Sequence, residues 1–208
     1  MRKYKNFIEL MDNGFPVGIK FSQKPENYTN KLRFCELVQK AREGESITFS
    51  QQACPVGSYV LGRDAPSPDE YYLNSGRYKN KEAAILAAEA LTRLDEQYSS
   101  IQLFPVTDET NVFKIMLLFL TPQKAMRLIQ ALSYHDGRSL HFSSSGTASV
   151  CGECIAGPAI TSNLCISMGC KGSRKHSKYG DDEVIVGIPQ NLINDIQEGL
   201  KAIPGTFD

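Results

Sequence analysis

Six consecutive apolar residues, Ile115–Leu120, constrain the fold of this chain more than any other feature. A strand that alternates apolar and polar residues covers one face of a sheet, whereas an uninterrupted apolar strand must be covered on both faces. The run ends a longer predicted strand, Val112–Leu120, which the polar turn Thr107–Asn111 joins to another strand at Ile101–Val106. It is far shorter than the roughly 20 residues that a membrane-spanning helix needs. The run therefore predicts a central strand that is covered on both faces.

Other strand and helix patterns surround this run without a clear repeat. Strands are also predicted at Pro16–Phe21, Ile47–Phe49, Leu140–Ser143 and Glu183–Ile188, and around Cys165. Helices are predicted at Lys3–Met11, across Leu32 to Ala41, at Lys81–Glu96, from Pro122 with Thr121 as its cap, and from Pro189 onward. Because the order is mixed and not strictly βαβ, we expect an α+β fold: one domain over residues 1–208, with a mixed or antiparallel sheet flanked by helices.

The net charge and the pattern of the N-terminal residues limit the classes of function that we expect. Lys and Arg number 23 and Asp and Glu number 23, so the formal net charge is zero. That balance argues against a polybasic nucleic-acid binder held by counterion release. The basic N-terminus contains Glu9 and Asp12 and no apolar segment follows it, so no targeting segment is predicted. We therefore expect a cytoplasmic protein with neither nucleic acid nor membrane as a partner.

Six cysteines carry most of the functional signal. Cytoplasmic thiols stay reduced, so this number points to metal or redox chemistry before structural disulfides. Cys35 falls on an apolar helical stripe, and Cys165 falls in a predicted strand. Because free cysteine is among the most buried residue types, we expect both in the core. The remaining cysteines, Cys54, Cys151, Cys154 and Cys170, form a candidate set of four thiolates.

These four thiolates suit either a 4Fe-4S cluster or a structural zinc ion, because soft ligands select such metals over hard cations. Cys151 and Cys154 form a C-x-x-C pair, and residues three apart in a helical turn project in similar directions. The full spacing does not match the two pairs of a zinc ribbon. The predicted site joins segments 53–62 and 150–174.

Several motifs follow one another along the chain. They are P-V-G-I-K-F at 16–21, A-C-P-V-G-S-Y-V-L-G at 53–62, C-G-E at 151–153, S-M-G-C-K-G-S-R at 167–174 and D-E-V-I-V-G-I-P at 182–189. In this order they resemble the family called domain of unknown function 169, the uncharacterised ArCR family, over nearly the whole chain. The residues of this chain that match the family's motifs are Cys54, Cys151, Glu153, Gly169, Cys170, Gly172 and Arg174. It implies no activity, because the family is named for lacking one.

The resemblance also bears on the ligand count and on two charged residues. Cys154 falls where the family pattern varies, and with only three thiolates a 4Fe-4S cluster would keep one iron open, as catalysis requires. Arg174 belongs to the family pattern and its guanidinium can bind an oxyanion through two hydrogen bonds. Two interpretations of Glu153 are equally favoured. It is either a hydrogen-bond acceptor or general base beside the site, or a carboxylate on a helix surface.

The leading hypothesis is a cytoplasmic 4Fe-4S protein that transfers electrons or performs redox chemistry on a small molecule or with a redox partner protein. Two alternatives stay open: a structural zinc–thiolate domain without catalysis, and a metal-free protein that uses Cys151 and Cys154 as a dithiol pair. Against the dithiol pair stands the lack of a thioredoxin-like βαβ frame around it. The sequence leaves open whether the protein is an enzyme and what its oligomeric state is.

Overall fold

The computed structural model describes residues 3–24, 28–95, 98–110 and 112–203. The strands in these ranges are β1 (Val17–Ser22), β2 (Ile47–Phe49), β3 (Ser100–Pro105), β4 (Ile115–Leu120), β5 (Cys165–Ser167) and β6 (Val184–Pro189). The α-helices there are α1 (Lys5–Leu10), α2 (Phe34–Arg42), α3 (Pro55–Val60), α4 (Asp69–Asn74), α5 (Lys81–Glu89), α6 (Pro122–Ser133), α7 (Gly157–Thr161), α8 (Lys171–Ser177) and α9 (Ile193–Ala202). A π-helix spans Ser149–Ala156, and a short 3₁₀ turn, Gln190–Leu192, precedes α9. No helix in the described ranges is long and apolar enough to cross a membrane.

Strand β4 lies at the centre of one antiparallel sheet with the order β2-β3-β1-β4-β6-β5. Its residue Leu117 lies opposite Val17 of β1 on one side and opposite Gly187 of β6 on the other. All six of its side chains are buried, which confirms the predicted central strand. The architecture is α+β, as predicted, and the sheet is antiparallel. That residues 1–208 form a single domain stays a prediction.

Helices cover both faces of this sheet. Helices α6 and α9 pack against each other, and α6 also contacts β4 and β6. The other face is covered by α2, which contacts β1 and β3, and by the π-helix, which contacts β4, β5 and β6. Every strand contributes to the same hydrophobic core. The thiol-bearing elements described below all belong to the face that carries α2 and the π-helix.

Most predicted elements begin close to the predicted residue, but β4 begins at Ile115 and not at Val112, and some ends are wrong. Helices α3, α4, α7 and α8 were not predicted. Pro122 begins α6 as expected, and the Thr121 hydroxyl accepts a hydrogen bond from the Lys124 backbone N–H at 3.4 Å. Helix α5 ends at Glu89, before the predicted end at Glu96, which itself lies outside the described residues. The chain leaves the helix there because Leu94 turns back, is buried, and donates its backbone N–H to the Val60 carbonyl at 2.9 Å.

The predicted strand Leu140–Ser143 is wrong, because the structure has no regular secondary structure there. Most of the segment is exposed, including Phe142. Burial against a sheet therefore does not offset the cost of ordering this segment as a strand.

A buried ion pair anchors α2 beside the start of β6. Arg42 binds both carboxylate oxygens of Glu183, and the two side chains are 6% and 12% exposed. The Arg42 guanidinium also lies over the Phe119 ring, 4.5 Å from its centroid. Burial alone would raise the pKa of Glu183, but the hydrogen bonds from Arg42 and from the Gly180 backbone N–H, together with the charges of Arg42 and Arg174, outweigh it and hold that pKa below its ordinary value. The pair therefore fixes the position of α2, the helix that carries Cys35.

Gly187 lets the π-helix approach β6 closely. A Cβ atom at this position would collide with the backbone carbonyl of Cys154. Only glycine leaves room for two backbones at this distance. The contact sets how deeply Cys151 and its neighbours sit over the sheet.

Candidate functional site

Four cysteines from four separate segments line one pocket of about 280 Å³. Cys35 lies on α2 and Cys151 on the π-helix, while Cys54 and Cys170 immediately precede α3 and α8. Long-range packing of these elements, and not proximity along the chain, brings the thiols together. Three of the four belong to the set predicted from the sequence, and Cys35 does not.

Cys54 and Cys170 occupy equivalent positions at the ends of their helices. Each has an extended backbone conformation and caps its helix, so that its sulfur accepts a backbone N–H. The Cys54 sulfur accepts from Gly57 and the Cys170 sulfur from Ser173, both at 3.4 Å. At Cys54 the following proline disfavours the helical conformation and so helps to set this geometry. Hydrogen bonds to the sulfurs are among the interactions that set the reduction potential of thiolate-bound iron–sulfur clusters.

Cys35 and Cys151 are more deeply buried. Burial raises the pKa of the Cys35 thiol to about 11, and burial together with the neighbouring Cys54 and Cys170 raises the pKa of Cys151 well above its ordinary value. Both are therefore protonated thiols at neutral pH. Since metals bind thiolates, occupation of this pocket by a metal centre releases protons.

Cys154 lies outside the pocket lining, because the helix that carries it is a π-helix. Hydrogen bonds of a π-helix run from residue i to residue i+5, so its turns are wider than those of an α-helix and residues three apart point in different directions. Cys151 faces the pocket, whereas Cys154 is fully buried against β6 and its thiol donates to the Ile185 carbonyl at 3.3 Å. The structure therefore brings Cys35 together with three of the predicted thiols in the pocket lining and places Cys154 outside it.

Cys165 is also separate from the pocket lining. It begins β5, as the sequence predicted, and its thiol donates to the Asn163 carbonyl at 3.8 Å. Its side chain is only partly buried, although the sequence placed it in the core.

Glu153 supports the pocket wall from outside. Its carboxylate accepts hydrogen bonds from the Ser145 backbone N–H at 2.7 Å, from the Ser144 hydroxyl at 3.1 Å and from the Ser167 hydroxyl. These contacts tie the loop at residues 144–148 to β5, and residues 145–148 line the pocket. Glu153 thus orients a wall and is not itself one of the lining residues.

The guanidinium of Arg174 also forms its hydrogen bonds with backbone carbonyls. Its guanidinium donates to the carbonyls of Met168 and Glu183, with closest distances of 2.6 and 2.7 Å, and to that of Gly180. It is not among the pocket residues. The cations that do line the pocket are Arg33, Arg77 and Lys171, and no Asp or Glu in the described part of the chain lines it.

Cys35 is buried in the core, as predicted, but its place in the pocket lining was not predicted, and neither were those of Arg33 and Arg77. A cysteine on the buried face of a helix gives the same pattern whether it packs in the core or opens onto a cavity. Arg33 and Arg77 carried no motif that distinguishes them from surface arginines. Only the packing of α2 and α4 around the thiols reveals them.

The four thiols belong to one pocket lining but do not converge on one point. Within the described ranges, no three His, Cys, Asp or Glu side chains lie close enough together to hold a single metal ion.

Comparison with known proteins places the chain in a family without an assigned activity. The sequence pattern of domain of unknown function 169, the uncharacterised ArCR family, matches residues 10–199. An uncharacterised protein of Methanocaldococcus jannaschii is 31% identical over 215 residues, covering 95% of this chain and 91% of its own length. No solved structure matches the chain. On the strength of a match over nearly its whole length, this chain belongs to the uncharacterised ArCR family.

Proposed function

We propose that this protein binds a 4Fe-4S cluster through Cys35, Cys54, Cys151 and Cys170, and that the cluster serves electron transfer or redox chemistry on a small molecule. The observation that carries the proposal is that four thiols from distant parts of the chain line one pocket. Four thiolates are the usual ligands of such a cluster. A reducing cytoplasm, where thiols stay free, is part of the proposal.

The size of the opening favours a cluster over a single zinc ion. Zinc holds each thiolate sulfur about 2.3 Å from the metal, so a tetrahedral zinc site requires sulfurs that converge. Here no three of the described His, Cys, Asp or Glu side chains lie close enough to hold one ion, and the cysteines are among the residues that line a pocket of about 280 Å³. A cluster, which places several atoms between its thiolates, fits such a space better than one ion does.

The surroundings of the sulfurs suit a redox centre. When bound, a 4Fe-4S cluster supplies one-electron transfer, with a potential set by hydrogen bonds to sulfur and by exposure to water. The Gly57 and Ser173 amides provide such hydrogen bonds, and Cys151 contributes a buried ligand position. Arg33, flanked by Cys54, adds a positive charge near the ligands.

The first test is anaerobic purification followed by iron, zinc and acid-labile sulfide analysis with a visible spectrum. About four irons and four sulfides per chain are expected, as a 4Fe-4S centre contains. Stoichiometric zinc without sulfide would replace the proposal with a structural zinc domain. A protein free of both metals would favour thiol chemistry without a metal.

Two serine variants then test the ligand assignment. Cys35→Ser should lose iron and visible absorbance, because it removes a pocket ligand. Cys154→Ser should keep both, because this residue lies against β6 and serine can still donate to the Ile185 carbonyl. Circular dichroism and thermal unfolding show whether each variant is folded. Loss of iron in Cys154→Ser alone would restore the ligand set predicted from the sequence. Full iron in both variants would refute both that set and the set proposed from the pocket.

A further inference from the structure

The pocket carries positive charge that no carboxylate in its described lining balances. Arg33, Arg77 and Lys171 line it, and the described lining contains no carboxylate. Within the same part of the chain, neither Arg33 nor Arg77 takes part in an ion pair. Arginine side chains gathered in a concave site without acidic partners are typical of sites that bind anions.

Tyr71 holds Arg77 in place. Arg77 donates to the Tyr71 hydroxyl at 3.3 Å, and its guanidinium lies over the Tyr71 ring, 4.9 Å from the centroid. Arg33 belongs to the same pocket lining as Tyr71. Stacking fixes the plane of the Arg77 guanidinium and leaves most of its N–H groups for a ligand.

Ser149 supplies a second observation, independent of charge. It lines the pocket and is 0% exposed, and its hydroxyl has no hydrogen-bond partner among the described residues. The oxygen is closed to water in this rotamer, so the hydroxyl must turn toward the pocket to meet a ligand atom. A buried hydroxyl left without a partner costs roughly 1–3 kcal/mol, which favours such a turn when a ligand is bound. The preceding residue, Ala148, has a φ of 51°, in the left-handed region where strain in a non-glycine residue tends to mark functional sites.

We infer that this pocket binds a small organic oxyanion, a carboxylate or a phosphate ester, through Arg33, Arg77 and the Ser149 hydroxyl. Phe34, Tyr71 and Tyr78 give the pocket aromatic walls that suit the apolar body of such a ligand. The inference rests on the proposed function in one respect, since it names the class of molecule on which the cluster acts.

Isothermal titration calorimetry of the anaerobically purified full chain tests this inference with three probes. Benzoate and phenyl phosphate each combine an aromatic ring with an oxyanion, and benzyl alcohol is the uncharged control. At constant ionic strength we expect at least one of the two anions to bind, and benzyl alcohol to bind at least about tenfold more weakly, since a charged hydrogen bond contributes at least that factor. The anion that binds more tightly shows whether the pocket prefers a carboxylate or a phosphate ester.

Substitutions test whether anion binding depends on the proposed residues. Arg77→Gln and Ser149→Ala should each weaken anion binding, by about tenfold or more for the arginine. Lys175→Gln is the matched control, because it removes an exposed positive charge from α8 that is not part of the lining; its affinity should stay within about twofold, as for a screened surface charge.

Iron analysis of the same samples separates the two proposals. Anion binding that depends on Arg77 in a protein without iron would uphold the oxyanion site and refute the cluster. Iron without anion binding, equal binding of benzyl alcohol, or unchanged affinity in Arg77→Gln would refute the oxyanion site alone. Loss of iron in a folded Arg77→Gln variant would also refute it, because the arginine would then be a counter-charge to the cluster.

Discussion

Arg42 and Glu183 show how a single buried contact fixes the position of a functional element. Their side chains are almost fully enclosed, and each satisfies the charge of the other. A buried ion pair contributes little compared with a well-packed apolar pair, but removing one partner leaves an uncompensated charge in the core. The structural consequence is that α2, and with it Cys35, depends on a carboxylate at the start of β6.

Replacing Glu183 with Gln should therefore destabilise the protein by about 3–5 kcal/mol at pH 7, because Arg42 is left without a counter-charge. Urea unfolding monitored by circular dichroism measures this change. Glu45→Gln is the matched control: it breaks the exposed pair with Lys40, at 2.8 Å, and should have no measurable effect. Equal effects of the two variants would show that burial does not matter here.

The same pair makes the stability depend on pH. Because the folded pKa of Glu183 lies below its ordinary value of 4.5, the pair stabilises the fold fully above that pH. The contribution is lost as pH falls from about 4.5 through the lowered folded pKa. We expect the stability difference between the natural protein and Glu183→Gln to shrink over that range. A difference that is constant from pH 7 to pH 3 would contradict this account.

Thiol reactivity is a second property decided at single residues. In metal-free protein, iodoacetamide should modify half-buried Cys54 and Cys170 first and fully buried Cys154 last, as measured by peptide mass spectrometry. The rate at Cys35 should keep rising as pH approaches about 11, because only its thiolate reacts. Under denaturing conditions all the cysteines should react at similar rates. Early modification of Cys154 in the folded protein would contradict its placement.

At the scale of elements, the π-helix is the feature that determines which thiols share the pocket. Its wider turn sends Cys151 and Cys154 in different directions, and its close contact with Gly187 sets its depth over the sheet. Glu153, on the same helix, holds the loop that forms the pocket wall. One irregular helix therefore places one cysteine in the pocket lining, buries another against the sheet and orders a loop.

Gly187→Ala tests this arrangement. The added methyl group collides with the Cys154 carbonyl, so the π-helix must move, and we expect a loss of stability of about 1–3 kcal/mol. We also expect reduced iron content, because Cys151 moves with the helix. Gly172→Ala is the control for stability alone, since its added Cβ would meet only the Cys170 sulfur, at 3.8 Å; iron content is not compared, because Gly172 lines the pocket. Unchanged stability in Gly187→Ala would show that the two backbones can separate without cost.

At the scale of the whole molecule, a rigid sheet supports a pocket assembled from several short segments. Strand β4 is buried throughout and paired on both sides. The thiols lie on or beside α2, α3, the π-helix and α8; α2 contacts α8 and the π-helix, and α3 contacts the π-helix. A bound centre that joins all four segments should therefore stabilise them far more than it stabilises the sheet.

Hydrogen exchange of the metal-loaded and metal-free forms measures this difference. Loading should slow exchange in α3 and α8, which are short and lie at the protein surface. Amides of β4 should exchange equally slowly in both forms, because their protection comes from the sheet. A uniform change over the whole chain, or no change in either region, would argue against a centre that links these segments.

The fold could be predicted from the sequence to a large extent. The run Ile115–Leu120 identified a central strand because an apolar strand must be covered on both faces, and Thr121 with Pro122 marked a helix start through local capping chemistry. The end of α5 could not be predicted, because a tertiary contact of Leu94 decides it. Local patterns thus identify elements, while long-range burial decides some of their ends.

The candidate site divides in the same way. The sequence by itself determined that this chain is rich in cysteine, balanced in charge and α+β, and its motifs indicated Cys54, Cys151 and Cys170. Only the tertiary structure decided that Cys35 lines the pocket and Cys154 lies against β6. The physical reason is that side-chain direction depends on the pitch of the helix and on what packs against it. Neither property is carried by the spacing of two cysteines along a chain.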